Sequence, residues 1–296
     1  MATKKAAAPQ PYREEAHAIH ARDVKFDWDD VPLHYLPGEP FATHFWNVMH
    51  LVVPVGEKAM AGTLAEALPY IDDERLREEA VGFIGQEAMH ASSHEGLHDR
   101  FREQGLDIEP ALRNWVYVFR GVVSGLGLDK RMSKAWLNER LALFSAAEHF
   151  TAVIGQWLLD NEEFAKAGMH PAVLDLLKWH GAEEVEHRNV MFDVFEHVDG
   201  SYARRVRTAL FVSPAGLALW VLVMRELLKK DPSPDKGRAW PIQWISATAK
   251  GLIPGPSFLV REIPPYLRRG FHPSEMGSLD AALKYLATSP AALAAE

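Results

Sequence analysis

Glu87-Ala-Met-His90 and Glu184-Val-Glu-His187 repeat one spacing, a carboxylate and an imidazole three residues apart, and each copy interrupts an apolar stripe of helical period. That conflict constrains the chain more than any other feature. At 3.6 residues per turn, positions three, four and seven apart share a face. One face carries Ala80, Phe83, Glu87, His90, His94 and Leu97; another carries Val173, Leu177, His180, Glu184, His187, Met191 and Val194. Two further stripes are interrupted once each: Val53, Glu57, Met60, Ala61 and Leu64 share a side, as do Leu141, Phe144, Glu148, Ala152 and Gly155. Burying one unpaired charge costs several kcal/mol, and four carboxylates brought together repel one another. These faces hold no matching Lys or Arg, so the compensating charge has to come from outside the chain. Two divalent cations would supply it.

The surrounding pattern predicts an all-α fold. Alternating Val/Ile/Thr runs bounded by turns do not occur. Long helices are expected over 41–68, with Pro54 inside as a kink, and over 73–104, capped by Asp73 and stopped at Gly105. A shorter helix follows near 111–126. Others are expected from beyond Ser133 to Asp160, and from Pro171 to about Val198 before Gly200. Residues 1–35 read as a loosely held arm, 36–200 as a metal-binding four-helix bundle, and 201–296 as a helical extension packed on it. The extension holds 17 uncharged residues between Arg207 and Arg225, interrupted by Ser213, Pro214 and Gly216. That is the short limit for a bilayer span, and the expectation is a buried helix kinked or started at Pro214. Contact with a membrane surface, or a place along a channel for an apolar substrate, is the lesser reading.

Composition removes several functions. Lys and Arg total 32 against 40 Asp and Glu, a net charge of −8, which argues against nucleic acid as a partner. There is no cysteine, hence no disulfide, thiolate site or cysteine nucleophile. The start, MATKKAAAPQ, lacks the apolar core of a signal peptide, and a cytoplasmic location is expected. Carboxylates with imidazoles suit iron, manganese or zinc over Cu(I). Glu183 and Glu186 compete with Glu184; the Glu-x-x-His register favours Glu184 and turns the other two toward solvent. His50 and His149 read as structural.

In order, the chain gives Glu57, then Glu87-x-x-His90, Glu148, then Glu184-x-x-His187. This order resembles that of the ferritin-like di-iron oxidases and oxygenases. More narrowly, residues 40–200 look like the bacterial family labelled "predicted metal-dependent hydrolase". His180, one turn before Glu184, is similar to the extra imidazole of the aminoarene N-oxygenases. Carried over by position, the resemblance implies the ligands Glu57, Glu87, His90, Glu148, His180, Glu184 and His187, with His94 behind them or along a channel. It implies a ferritin-like four-helix bundle holding two metal ions, iron first, with manganese or a mixed manganese/iron pair as alternatives. O2 is then the co-substrate, and a small, apolar organic substrate is oxidised. An external electron donor is required, since no flavin or Fe–S motif is present. A dinuclear hydrolase is the rival class, and a non-catalytic iron-binding protein the third; the long apolar extension argues against storage. Self-association into a homodimer through that extension is a further expectation.

Overall fold

The computed structural model of the chain describes residues 18–123, 130–233 and 240–295. Every regular element among them is helical. In chain order these are α1 (Pro40–Ala67), α2 (Glu74–Glu103), α3 (Glu109–Val123), α4 (Lys130–Asp160), α5 (Glu163–Lys166), α6 (Pro171–His187), α7 (Val190–Val198), α8 (Tyr202–Lys230), α9 (Trp240–Ala249), α10 (Pro256–Tyr266), α11 (Leu279–Leu286) and α12 (Pro290–Ala295). Local chemistry sets their ends. Pro40 and Pro171 begin α1 and α6, where a missing N–H leaves no helical bond unmade. The Asp73 carboxylate accepts the Leu76 N–H and caps α2, which stops at Gly105 with φ +82. Ser201 and Ser278 cap α8 and α11 in the same way.

α1, α2, α4 and α6 form the bundle, with α7 continuing along it. The fourth long helix is not continuous as expected; it breaks at Arg188 and Asn189 into α6 and α7. At the break Arg188 Nη1 donates to the Val185 carbonyl at 2.5 Å, the acceptor that the Asn189 N–H would use in an unbroken helix. Its Nε donates to the Pro273 carbonyl at 3.3 Å, tying the break to the extension.

Two expectations are corrected here. Residues 18–35 are not a loose arm: Val24, Val31 and Tyr35 are buried in the main core. This strap crosses α2 where glycines admit it. A Cβ at Gly82 would lie 2.2 Å from the Ile19 carbonyl oxygen, and one at Gly96 would lie 2.4 Å from Trp28 Nε1. Residues 1–17 of the expected arm lie outside the described residues. The apolar helix α8 is continuous through Pro214 and is not buried. It rests one side on α4 and α1, while its central apolar window is only 11% buried. It is long and apolar enough to cross a membrane by length and composition.

The core is shared. Leu252, Ile253, Leu286 and Ala291 of the extension lie in one buried cluster with Trp46 and Trp179 of the bundle, and the Trp46 indole donates to the Leu252 carbonyl at 2.9 Å.

Candidate metal centre

Each of the four bundle helices delivers one or more donors to a common interior point, and all seven donor residues are buried. α1 brings Glu57, α2 brings Glu87 and His90, α4 brings Glu148, and α6 brings His180, Glu184 and His187. α4 and α6 approach closely because glycine faces glycine. A Cβ on Gly155 would lie 2.5 Å from the Gly181 carbonyl oxygen and 3.1 Å from Glu184 Cβ. A larger residue here would push Glu148 and Glu184 apart.

Six of the seven donors fall into two groups that share one residue, and Glu148 stands beside the second. Glu57, His90, His180 and Glu184 form the first, Glu87, Glu184 and His187 the second; within each group the donor atoms lie within 4.8 Å of one another. The two oxygens of Glu184 face different groups. Oε1 lies 2.7 Å from His180 Nε2 and 3.7 Å from His90 Nδ1, while Oε2 lies 3.6 Å from His187 Nε2. Glu57 Oε1 sits 3.3 Å from His180 Nε2. Glu87 Oε1 and Glu148 Oε1 sit 3.3 and 3.1 Å from His187 Nε2.

Eight buried atoms pointing into this space make no hydrogen bond: both oxygens of Glu57 and of Glu87, Glu148 Oε1, Glu184 Oε2, His90 Nδ1 and His187 Nε2. Native interiors leave few polar atoms unpaired. Eight around one point form a cradle of hard oxygen and imidazole nitrogen, the donor set of divalent first-row metals. The residues present therefore fit two metal ions.

The imidazoles are held from behind, so that each keeps one nitrogen for the centre. His90 Nε2 is 2.9 Å from Glu183 Oε2, His187 Nδ1 is 3.0 Å from Gln86 Oε1, and His180 Nδ1 is 2.5 Å from His94 Nε2. Gln86 in turn donates to Glu186 Oε2 at 2.6 Å. Here the expectation that Glu183 and Glu186 face solvent is corrected: both are buried, since α6 is covered on this side by the strap. Arg22 supplies their counter-charge, donating to Glu183 at 2.6 Å and to both oxygens of Glu186 at 2.9 Å. No local periodicity announces a partner in a segment so far away. The three glycines of α2 at 82, 85 and 96 are the one sequence signal that something lies across that helix.

Burial and mutual repulsion set the electrostatics. Burial, then the neighbouring Glu87, pushes the Glu57 carboxyl well up; burial, then Glu184, does the same to Glu87. Glu148 is pushed up to about 7 by burial and by Glu184. Glu184 goes the other way: burial opposes ionisation, but the imidazoles of His180 and His187 hold it well below the usual carboxylate range. Burial lowers His90 to about 3 and His180 to about 4, keeping both neutral and able to donate a lone pair. A cation-free interior therefore tolerates one ionised carboxylate readily and resists the rest.

His94 does not join either donor group; it stands behind His180, and its Nδ1 lies 2.7 Å from His50 Nδ1. His149 faces outward, its Nε2 bonded to the Glu262 carbonyl at 2.7 Å. A cavity of about 260 Å³ lies between α4, α10 and the 273–277 turn, lined by Ala152, Trp157, Arg188, Phe258, Glu262 and Met276. A third His/Asp group, His34, His44 and Asp231, ties the strap and α1 to the end of α8. Its two imidazoles are each accounted for by a bond to Asp231 Oδ2, at 2.8 and 3.0 Å.

Compared with known proteins, residues 20–277 match the family described as "Predicted metal-dependent hydrolase". No curated protein matches the chain significantly. No solved structure does either.

Proposed function

The chain belongs to the predicted metal-dependent hydrolase family, and from that premise and the geometry of its interior we propose that it is a dinuclear metalloenzyme of the carboxylate-bridged type, with iron as the metal and oxidation of a small apolar organic molecule as the reaction. The observation that carries this reading is Glu184, whose two oxygens each belong to a different donor group. A shared carboxylate with further glutamates and an imidazole on each side is the donor arrangement of di-iron carboxylate bundles. Two bound iron ions supply O2 activation, and two redox-inert ions would instead supply Lewis-acid polarisation of a scissile bond.

The protein's own part is preorganisation. Glu183, Gln86 and His94 fix the ring orientations of His90, His187 and His180. Trp179 and Phe83 pack against His90 and His187 with ring centroids 5.1 and 4.5 Å apart, keeping bulk water from the imidazoles. Electrons come from a separate donor, because a chain without cysteine cannot hold an Fe–S cluster of the thiolate type. Hydrolysis is the second reading, favoured by the family's description.

Elemental analysis of the purified protein, with optical spectra before and after anaerobic reduction and on return to air, separates the two. The redox reading expects about two irons per chain, O2 uptake by the reduced protein and a transient visible band. Zinc at that stoichiometry, with an O2-independent loss of an ester or amide substrate, would replace it with hydrolysis. A protein that takes up no metal would end both.

A further inference from the structure

From α8 and its charge setting, we infer that this protein docks on the surface of an anionic lipid bilayer. The stripe that α8 turns outward runs Arg207, Leu210, Phe211, Pro214, Leu217, Ala218, Leu222, Arg225 and Lys229, all exposed. At 100° per residue these positions fall within one side of the helix, and the buried Arg205, Thr208, Ala209, Val223, Met224 and Leu227 occupy the other. The stripe is apolar for about 27 Å between its bordering arginines, at a rise of about 1.5 Å per residue. Phe211 is 68% exposed, Leu222 59% and Leu210 58%. Contiguous apolar surface of this kind marks an interaction site.

Neighbouring helices carry exposed apolar residues of their own. Phe45 packs against both Trp220 of α8 and Trp244 of α9, and α9 exposes Trp240, Ile242 and Ile245. At the other end, the Tyr202 hydroxyl donates to the Leu267 carbonyl beside α10, which exposes Val260.

Charge decides the occupant. Residues 201–270 contain twelve Lys and Arg against four Asp and Glu, a balance of +8 in a chain whose total is −8. Several of these cations pair with acids outside the segment, Arg207 with Glu139, Lys230 with Asp107 and Lys250 with Glu39, whereas Arg225 stands exposed at the far border of the stripe. A twofold contact with a second copy would set this cationic surface against itself. A leaflet of acidic lipids offers both what the stripe lacks, an apolar phase, and what its borders attract, negative headgroups. α8 lies along such a surface with its arginines and lysines at headgroup level and its other side on the bundle.

Flotation of the full-length protein with vesicles tests this. Vesicles of phosphatidylcholine containing one third phosphatidylglycerol are compared with pure phosphatidylcholine. The wild type is expected to float with the anionic vesicles and to stay in solution with the neutral ones. Phe211→Glu combined with Leu217→Glu should reduce binding by at least about tenfold, and Arg207→Ser with Arg225→Ser by about tenfold at low salt. Circular dichroism and metal content identify misfolded variants; for these, Leu217→Ser replaces the pair and is expected to weaken binding in the same direction. A wild type that ignores anionic vesicles overturns the inference. So does a stable dimer in light scattering that Leu217→Glu dissociates, which would give the stripe to a second copy.

Discussion

The interior around Glu184 and the outer side of α8 break the same rule in opposite directions. One places four carboxylates among Phe83, Leu141 and Trp179; the other places Leu210, Phe211, Leu217 and Leu222 in water. Both rest on helices of ordinary length and capping, so neither violation comes from the backbone. The difference lies in how the surroundings respond. Around the carboxylates the protein has built supports on three sides, with Gln86, Glu183 and His94 behind the imidazoles and Arg22 behind Glu183 and Glu186. Around the outward stripe of α8 the described residues build no such scaffolding; Arg207 pairs with Glu139 at one border and Arg225 is exposed at the other. A site that must hold atoms at fixed positions needs a rigid shell, whereas a surface that meets a fluid phase needs only area and charge.

The contrast breaks most decisively at Glu184. Glu184→Ala should strip the protein of all its metal, measured by elemental analysis, while Glu57→Ala, which touches one donor group, should leave a part of it. Equal losses from the two variants would mean that Glu184 is not shared. Next in size is Arg22→Ala. It removes the guanidinium from two buried carboxylates and should cost about 3–5 kcal/mol in chemical denaturation, with Arg22→Lys recovering part of it, since an ammonium cannot fork across both carboxylates.

A pH experiment sharpens the electrostatic half. In metal-free protein Glu148 titrates at about 7 rather than 4.5. A raised carboxyl binds an extra proton in the folded state between those values, so stability falls as pH rises through that window. Relative to Glu148→Gln, the wild type should lose up to ~3 kcal/mol from pH 4.5 to 7 and nothing further above it. A pH-independent difference between the two proteins would show that Glu148 ionises freely. Gly155→Ala, which forces α4 from α6, should cost about 1–3 kcal/mol and weaken metal binding. Smallest of all, Leu217→Glu should alter folding stability by less than about 0.5 kcal/mol, because Leu217 lies on the exposed stripe of α8 among the described residues. A larger loss would place the stripe inside a structure the isolated chain already forms.

Much of this was legible from short-range pattern. The helical stripes of α1, α2, α4 and α6, the Asp73 cap and the placing of Glu87, His90, Glu184 and His187 on inward faces follow from period and spacing, which are properties of neighbours in the chain. What escaped depends on distant residues. Glu183 and Glu186 occupy positions that a helical wheel assigns to solvent, and they are buried because residues 18–28 cover them. At the break after His187 a side chain reaches back one turn and another carbonyl, from Pro273, meets it, contacts that no propensity encodes. For α8, hydrophobicity alone said "inside"; composition records that a segment is apolar, and says nothing of which apolar phase receives it.

The clasp at Arg22 also orders events in time. It meets Glu183 and Glu186 across 161 and 164 positions of chain. A polypeptide leaves the ribosome from its amino end, so residue 22 emerges long before its partners have been translated. The groove over α2 exists as soon as that helix folds, but the fastening waits for α6. Until α6 is made the pocket itself is incomplete, since His180, Glu184 and His187 come from the same helix as Glu183 and Glu186. The strap is therefore fastened in the same late step that completes the centre, by a segment made long before it.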